Sequence, residues 1–151
     1  MKQITQYFQA LSDESRIRIM NLLFAVEELC VCDIQTVLDI SQPKASRHLA
    51  YLKHAGLVDD KRKGLWMIYS LHPPEDEVHN KFLQKLREIC FMTPELQHDL
   101  EILNKTINTG CCAIFRNIYP DRKRSQVSSQ NKNMNRTSLS PKRNTSHVNI
   151  K

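Results

Sequence analysis

Only three glycines occur in 151 residues, and they are scattered. A glycine-rich loop cradling phosphates is therefore absent, as is any alternation of strands and helices that would build a nucleotide-binding βαβ unit. No apolar run approaches the roughly 18 residues that a membrane helix needs, so no membrane partner is expected. The opening residues lack the charged-then-apolar pattern of an export signal, and a cytoplasmic location is expected. Cysteine is scarce and odd in number: five, two of them adjacent, which does not read as the disulfide framework of a secreted domain. In a reducing cytosol such residues stay as thiols, open to a soft ion or an oxidant. No cysteine–histidine nucleophile arrangement stands out, so an enzyme, such as a thiol oxidoreductase using Cys-x-Cys, is not expected.

What is present is a 40% hydrophobic content, enough for one packed domain, and a lopsided charge. Residues 1–110 hold 13 Lys and Arg against 15 Asp and Glu, whereas residues 111–151 hold 9 against 1. The high overall isoelectric point thus belongs to the tail, and a nucleic-acid partner has to be argued from motifs.

Ile4, Tyr7, Phe8 and Leu11 recur at the spacing of an amphipathic helix. Ser12 is placed to cap a second helix, with Asp13 and Glu14 at its positive end and Ile17, Met20, Leu23 and Phe24 inward. The apolar segment Leu29 to Leu38 predicts a third helix beginning near Val31. Asp39-Ile40-Ser41 reads as a turn, and Ser41 as the cap of a fourth helix that tolerates Pro43 in its first turn. Ala45, Leu49 and Leu52 form its buried stripe and Gly56 its stop. The period then changes. Leu57-Val58, a basic tip over Asp60 to Gly64, and alternating residues from Leu65 to Leu71 predict a β-hairpin ended by Pro73-Pro74. Val78, Phe82, Leu86, Ile89 and Cys90 mark a fifth helix. Thr93-Pro94-Glu95 is a cap and restart before Leu96, Leu100, Leu103 and Ile107. No internal repeat is visible. The Ser/Asn/Lys/Arg-rich stretch from about Pro120 reads as disordered.

Helices joined by a short turn and followed by a hairpin make a mainly α, winged helix-turn-helix fold, in which the second helix of the pair enters the DNA major groove. Opposite the stripe of the fourth helix the face centres near Arg47, with Lys44 and Tyr51 on one flank and Ser46 on the other. Arg can fork onto guanine, and Lys and Ser commonly touch phosphates or base edges. Charge alone would fit an ordinary solvated face equally well. Position favours a reader, because Lys61, Arg62 and Lys63 follow on the hairpin.

The string Ser41-Gln42-Pro43-Lys44-Ala45-Ser46-Arg47-His48-Leu49, followed by Leu52 and Gly56-Leu57-Val58, resembles the recognition helix of the ArsR/SmtB family of metal-responsive repressors. Leu11-Ser12-Asp13-Glu14-Ser15-Arg16 is similar to that family's opening of the second helix, and Gly64 to Leu71 to its wing strand. The resemblance runs in order over roughly residues 4–108. It implies a homodimeric repressor bound to operator DNA, with candidate contacts at Gln42, Lys44, Ser46, Arg47, His48, Tyr51, Lys61, Arg62 and Lys63. The dimer would pair the first and last helical segments. Residues 1–110 would be the DNA-binding and dimerisation domain, and residues 111–151 a Cys-Cys segment with a basic tail.

Glu28-Leu29-Cys30-Val31-Cys32-Asp33-Ile34 resembles the signature of the family's arsenite-responsive branch. Taken singly, either cysteine reads equally as a small buried hydrophobe. The resemblance implies soft-ion ligands, with As(III) or Sb(III) as inducer and no organic cofactor. A thiol redox sensor, closing a disulfide under oxidant, is the alternative on the same fold. Residues two apart on an α-helix point about 200° apart, so the pair cannot share one ion while both are helical. Binding is expected to distort the helix start or keep it unwound. That would move the reader, and a coupling of about 2.7 kcal/mol would weaken operator binding about 100-fold. Many arsenite-responsive members place a third cysteine where this chain has Gln35. Cys111 and Cys112 are candidates to replace it, Cys90 belongs to the core, and no four-ligand zinc constellation stands out.

Overall fold

The computed structural model describes residues 1–109. Short amphipathic stripes set its helices: α1 (Lys2–Ala10) buries Tyr7 and Ala10, and α2 (Glu14–Ala25) buries Ile19 to Leu23. The start of α2 is capped by Asp13, not Ser12: the Asp13 carboxylate accepts from the Arg16 N–H at 3.2 Å. Ser12 instead donates to the Gln9 carbonyl at 2.8 Å. A carboxylate is the stronger acceptor at the positive end of a helix, which explains the one-residue shift.

Next come β1 (Leu29–Cys30), α3 (Val31–Leu38) and α4 (Gln42–His54). Asp39 ends α3 in the left-handed region at φ 52°, one of the few places where a short polar side chain is tolerated there. Ser41 is the N-cap residue of α4, although its hydroxyl makes no capping hydrogen bond, and Pro43 sits in the first turn. Gly56, at φ 74°, closes α4: its N–H donates to the Lys53 carbonyl and that of Leu57 to Leu52, the two bonds of a Schellman stop.

The hairpin is longer in its strands and tighter at its tip than the charge pattern implies. β2 (Val58–Lys63) and β3 (Trp66–Leu71) pair antiparallel from Val58↔Leu71 to Lys63↔Trp66. Only Gly64 and Leu65 form the turn, with φ 61° at Gly64, the arrangement in which glycine leads a two-residue hairpin. Asp59 to Lys63 are therefore strand residues. Their charges are accommodated by ion pairs, Lys53–Asp60 at 2.5 Å and Lys63–Glu28 at 2.7 Å. β1 was not foreseen. It joins the other edge of β3, through Leu29↔Tyr69 and Cys30↔Ile68, to give a three-stranded sheet of order β1-β3-β2.

α5 (Glu77–Met92) and α6 (Pro94–Thr109) complete the described chain. Of the expected α5 stripe, Phe82 and Leu86 pack against the core and Cys90 is buried, whereas its two other residues turn outward. His79, Leu83 and Cys90 are buried, while Val78 and Ile89 are more than half exposed. α6 packs on α2 and α3 and is fixed by a bidentate pair, in which the Arg18 guanidinium donates to both Asp99 oxygens at 2.8 and 2.7 Å. Asn21 adds a buried bond to the Leu96 carbonyl at 2.8 Å. A helical pair, α3 and α4, is thus followed by a hairpin, the winged helix-turn-helix plan. Among the described residues no helix is long and apolar enough to cross a membrane.

Candidate DNA-reading surface and cysteine site

α4 presents its two faces as the wheel requires. Ala45, Leu49 and Leu52 are fully buried, while Gln42, Lys44, Ser46, Arg47 and Tyr51 are exposed. Arg47 bends back so that its Nε donates to the Pro43 carbonyl at 3.3 Å, leaving the rest of the guanidinium outward. His48 departs from this set. Its side chain is turned against α2, with Nδ1 3.6 Å from the Asp13 carboxylate, and burial pushes its pKa below the usual imidazole value. The imidazole is largely covered, between α4 and the start of α2.

Arg16, the last residue of the motif that opens α2, has a role that the motif alone does not give. Its guanidinium lies 4.4 Å from the centre of the Tyr51 ring and donates to the carbonyls of Ala10 and Gln9 at the end of α1. One side chain thus ties three helices together beside the reader. Of the basic residues on the hairpin, Lys61 and Arg62 are exposed, and Arg62 donates to the Gly64 carbonyl at 3.1 Å. Lys63 is held against Glu28, so it is not a bare charge at the tip.

The cysteine pair sits where β1 becomes α3. Cys30 is the N-cap residue, in extended conformation (φ −86°, ψ 160°), and Cys32 lies in the first helical turn. The two are therefore not both helical. Their Cα atoms are 5.4 Å apart and their sulfurs are joined in a disulfide. Of the two expectations for the helix start, distortion on binding or a start kept unwound, the structure agrees with the second: Cys30 already lies outside α3, and the sulfurs converge there.

Asp33 completes the cluster. Its Oδ2 accepts from the Cys30 N–H at 3.3 Å and stands 3.0 Å from Cys30 Sγ. The carboxyl is almost wholly buried, and that burial pushes its pKa above the ordinary range. One donor atom from each of Cys30, Cys32 and Asp33 falls within 4.8 Å of the others. Two sulfurs and a carboxylate at this separation suit a thiophilic ion, the sulfurs supplying the soft part of the donor set. The signal for Asp33 was legible only as a residue three past an N-cap, where a carboxylate commonly turns back. Cys90 is a buried thiol whose pKa burial pushes up to about 11, so it stays protonated and inert. Cys111 and Cys112 lie outside the described residues.

Residues 13–60 match the model of the bacterial regulatory protein arsR family. The chain is 36% identical over 90 residues to an arsenical resistance operon repressor of Bacillus subtilis, covering 60% of this chain and 81% of that protein. The chain belongs to the ArsR family. A second relative, the arsenical resistance operon repressor of Escherichia coli, is 53% identical over 68 residues, covering 45% of this chain and 58% of its own length. The chain thus spans little more than half of that relative. Among solved structures, a homodimeric winged helix-turn-helix DNA-binding domain from Mycobacterium bovis matches with TM-score 0.50 and 26% identity, covering 62% of this chain and 82% of that one. The family is described as bacterial regulatory proteins, and the fold agrees with the solved relative.

Proposed function

We propose that this ArsR-family chain is a transcriptional repressor that binds operator DNA in its inducer-free form and is released when Cys30 and Cys32 bind arsenite or antimonite. The observation that carries the reading is the convergence of both sulfurs with the Asp33 carboxylate at the entrance to the helix that precedes the reader. The names of its relatives, arsenical resistance repressors, agree with it. With the pair reduced, each sulfur–arsenic bond forms as a thiol proton leaves with an arsenite hydroxyl as water, so two thiols release two waters and the oxidation state does not change.

In this reading Arg47, Lys44, Ser46, Gln42 and Tyr51 face the major groove, and Lys61 and Arg62 the neighbouring backbone. His48 and Lys63 act by holding α4 and the hairpin in place. A second copy is the partner across the first and last helices, where Phe8 on α1 and Ile107 on α6 remain exposed, with Val78, Ile89 and Met92 of α5 exposed as well. Residues 111–151, with their 9 Lys and Arg against one acid, would add salt-sensitive, sequence-independent affinity, and Cys111 or Cys112 a third thiolate.

One observation favours a second reading. The Cys30–Cys32 disulfide is the product a thiol redox sensor would form under oxidant. Fluorescence-anisotropy binding to the DNA upstream of the protein's own gene, titrated in turn with arsenite, zinc and peroxide, separates the two. Release by arsenite from the reduced protein supports the metalloid reading; release by peroxide alone replaces it.

A further inference from the structure

The three-stranded sheet has two different faces. Leu29, Val58, Tyr69 and Leu71 belong to the main core that also holds the helices. The other face carries a small separate cluster: Cys30 and Ile68, both buried, with Cys32 and Trp66 packed against them. Cys30 and Ile68 are direct partners across the β1–β3 ladder, and Trp66 is two residues from Ile68 on the same side. At the end of the hairpin, Trp66 pairs across to Lys63, which in turn holds Glu28 two residues before Cys30. The sulfurs are thus packed directly on the wing strand, as well as heading α3.

We propose that Trp66 is a positioning residue that transmits the ligation state of Cys30 and Cys32 to the wing. This deepens the proposed function and rests on its reading of the pair as the sensor site. Adding an ion or a disulfide bond between the sulfurs changes the volume and shape of a four-residue cluster that contains little else. A packed cluster responds by shifting its members rather than by compressing. The largest member, Trp66, flanks the two-residue turn of the hairpin whose strand β2 carries Lys61 and Arg62. The wing is therefore displaced together with the start of α3.

Trp66 is the only tryptophan, so its emission reports this cluster alone. The full-length protein, reduced with a phosphine, is titrated with arsenite while Trp66 emission, protection of thiols from a disulfide reagent, and operator anisotropy are followed together. The expected result is an emission change with the same midpoint as thiol protection and operator release. Trp66→Ala is expected to keep arsenite protection of its thiols but to cut operator release from about 100-fold to below about tenfold. Trp66→Phe is expected to restore release. Thiol protection and operator release with no change in emission would overturn the transmission and leave the proposed function standing, as would wild-type release in Trp66→Ala. If Trp66→Ala does not fold, the wild-type emission decides. Arsenite that neither protects the thiols nor releases the operator would instead overturn the proposed inducer. In that case oxidised and reduced protein are compared: a difference in both emission and operator affinity supports transmission through Trp66, and identical emission overturns it.

Discussion

Cys30 lies directly across the ladder from Ile68, so a residue of the candidate sensor is also a residue of the wing's own sheet. On its other side Cys30 caps α3, whose carboxyl end leads through Asp39 and Ile40 into α4. The site is therefore in contact with both parts of the winged helix-turn-helix unit. A geometric change at two sulfurs does not need to travel far to reach either one.

The first expected outcome concerns the reader. Arg47 is exposed at the centre of the outward face of α4, opposite the buried Ala45, Leu49 and Leu52. Arg47→Ala should weaken operator binding by about 1–3 kcal/mol and relax sequence preference, whereas Lys61→Ala should weaken binding to any sequence and lower its salt dependence. Competition with non-operator DNA at several salt concentrations distinguishes these. Operator affinity unchanged in Arg47→Ala would remove α4 as the reading element.

Stability should depend on the α2–α6 latch. Asp99 is almost wholly buried and accepts two hydrogen bonds from Arg18, a side chain only about a quarter exposed. Asp99→Ala leaves that guanidinium without its acceptors, and hydrogen bonds to charged groups contribute about 1.5–3 kcal/mol. A loss of that size is expected in urea denaturation of the full chain. A change below about 0.5 kcal/mol would show that α6 is held by apolar packing alone.

Much of this architecture can be read in the residues, and what escapes has definite causes. The α4 stripe and its glycine stop are strong local signals, since both periodicity and backbone conformation depend on residues close in sequence. β1 is two residues long, too short for any period to show, and exists only because β3 lies alongside it. Asp59 to Lys63 resemble a turn in composition, yet cross-strand pairing with Trp66 to Ser70 and ion pairs to Lys53 and Glu28 make them a strand. The face of α5 is only partly legible: Phe82, Leu86 and Cys90 turn inward, but His79, a polar type, takes a buried position against Tyr7 while Val78 beside it is exposed. Asp33 was missed because its role depends on Cys30 being extended, which is a tertiary outcome.

The pH response follows from those histidines. Burial lowers the pKa of His79 and of His48 below the ordinary 6.5, with neighbouring His72 adding to the effect at His79. Each is neutral in the folded chain, and the unfolded chain takes up the proton first as pH falls. Their stabilising contribution is therefore present above about pH 6.5 and lost on acidification below it. His72 has the opposite sign: its hydrogen bond with Asp59, and then Glu75, raises its pKa, so its contribution is full below 6.5 and fades as pH rises through the raised value. His72 is about a quarter exposed, but its partners Asp59 and Glu75 are half exposed or more, so solvent screens that pair and the two covered imidazoles should dominate. The denaturation midpoint should fall between pH 7.5 and 5.5, and His79→Leu should reduce that fall. An identical slope in the variant would assign the acid sensitivity to other groups.

The decisive substitution is at the cysteine pair. Serine keeps the size of the side chain close to that of cysteine while removing the soft donor, and Cys30 and Cys32 are each small members of a cluster otherwise held by Ile68 and Trp66. Cys30→Ser places a hydroxyl beside the Asp33 carboxylate, where Cys30 Sγ stands 3.0 Å from Oδ2 and a hydroxyl can donate. Both single variants should therefore fold and bind operator DNA as inducer-free protein. Neither can form two sulfur bonds to one ion, so arsenite should no longer release either from DNA at concentrations that saturate the natural chain. Peroxide release should be lost as well, since the disulfide needs both residues. Anisotropy titrations on the two variants, with zinc as a control ion, measure all of this on one scale. Normal arsenite release from both variants would move the sensor away from Cys30 and Cys32 altogether. Release lost in Cys32→Ser but kept in Cys30→Ser would mean that the strand residue is a spectator and that Cys32 works with a thiol from elsewhere in the chain or from a second copy.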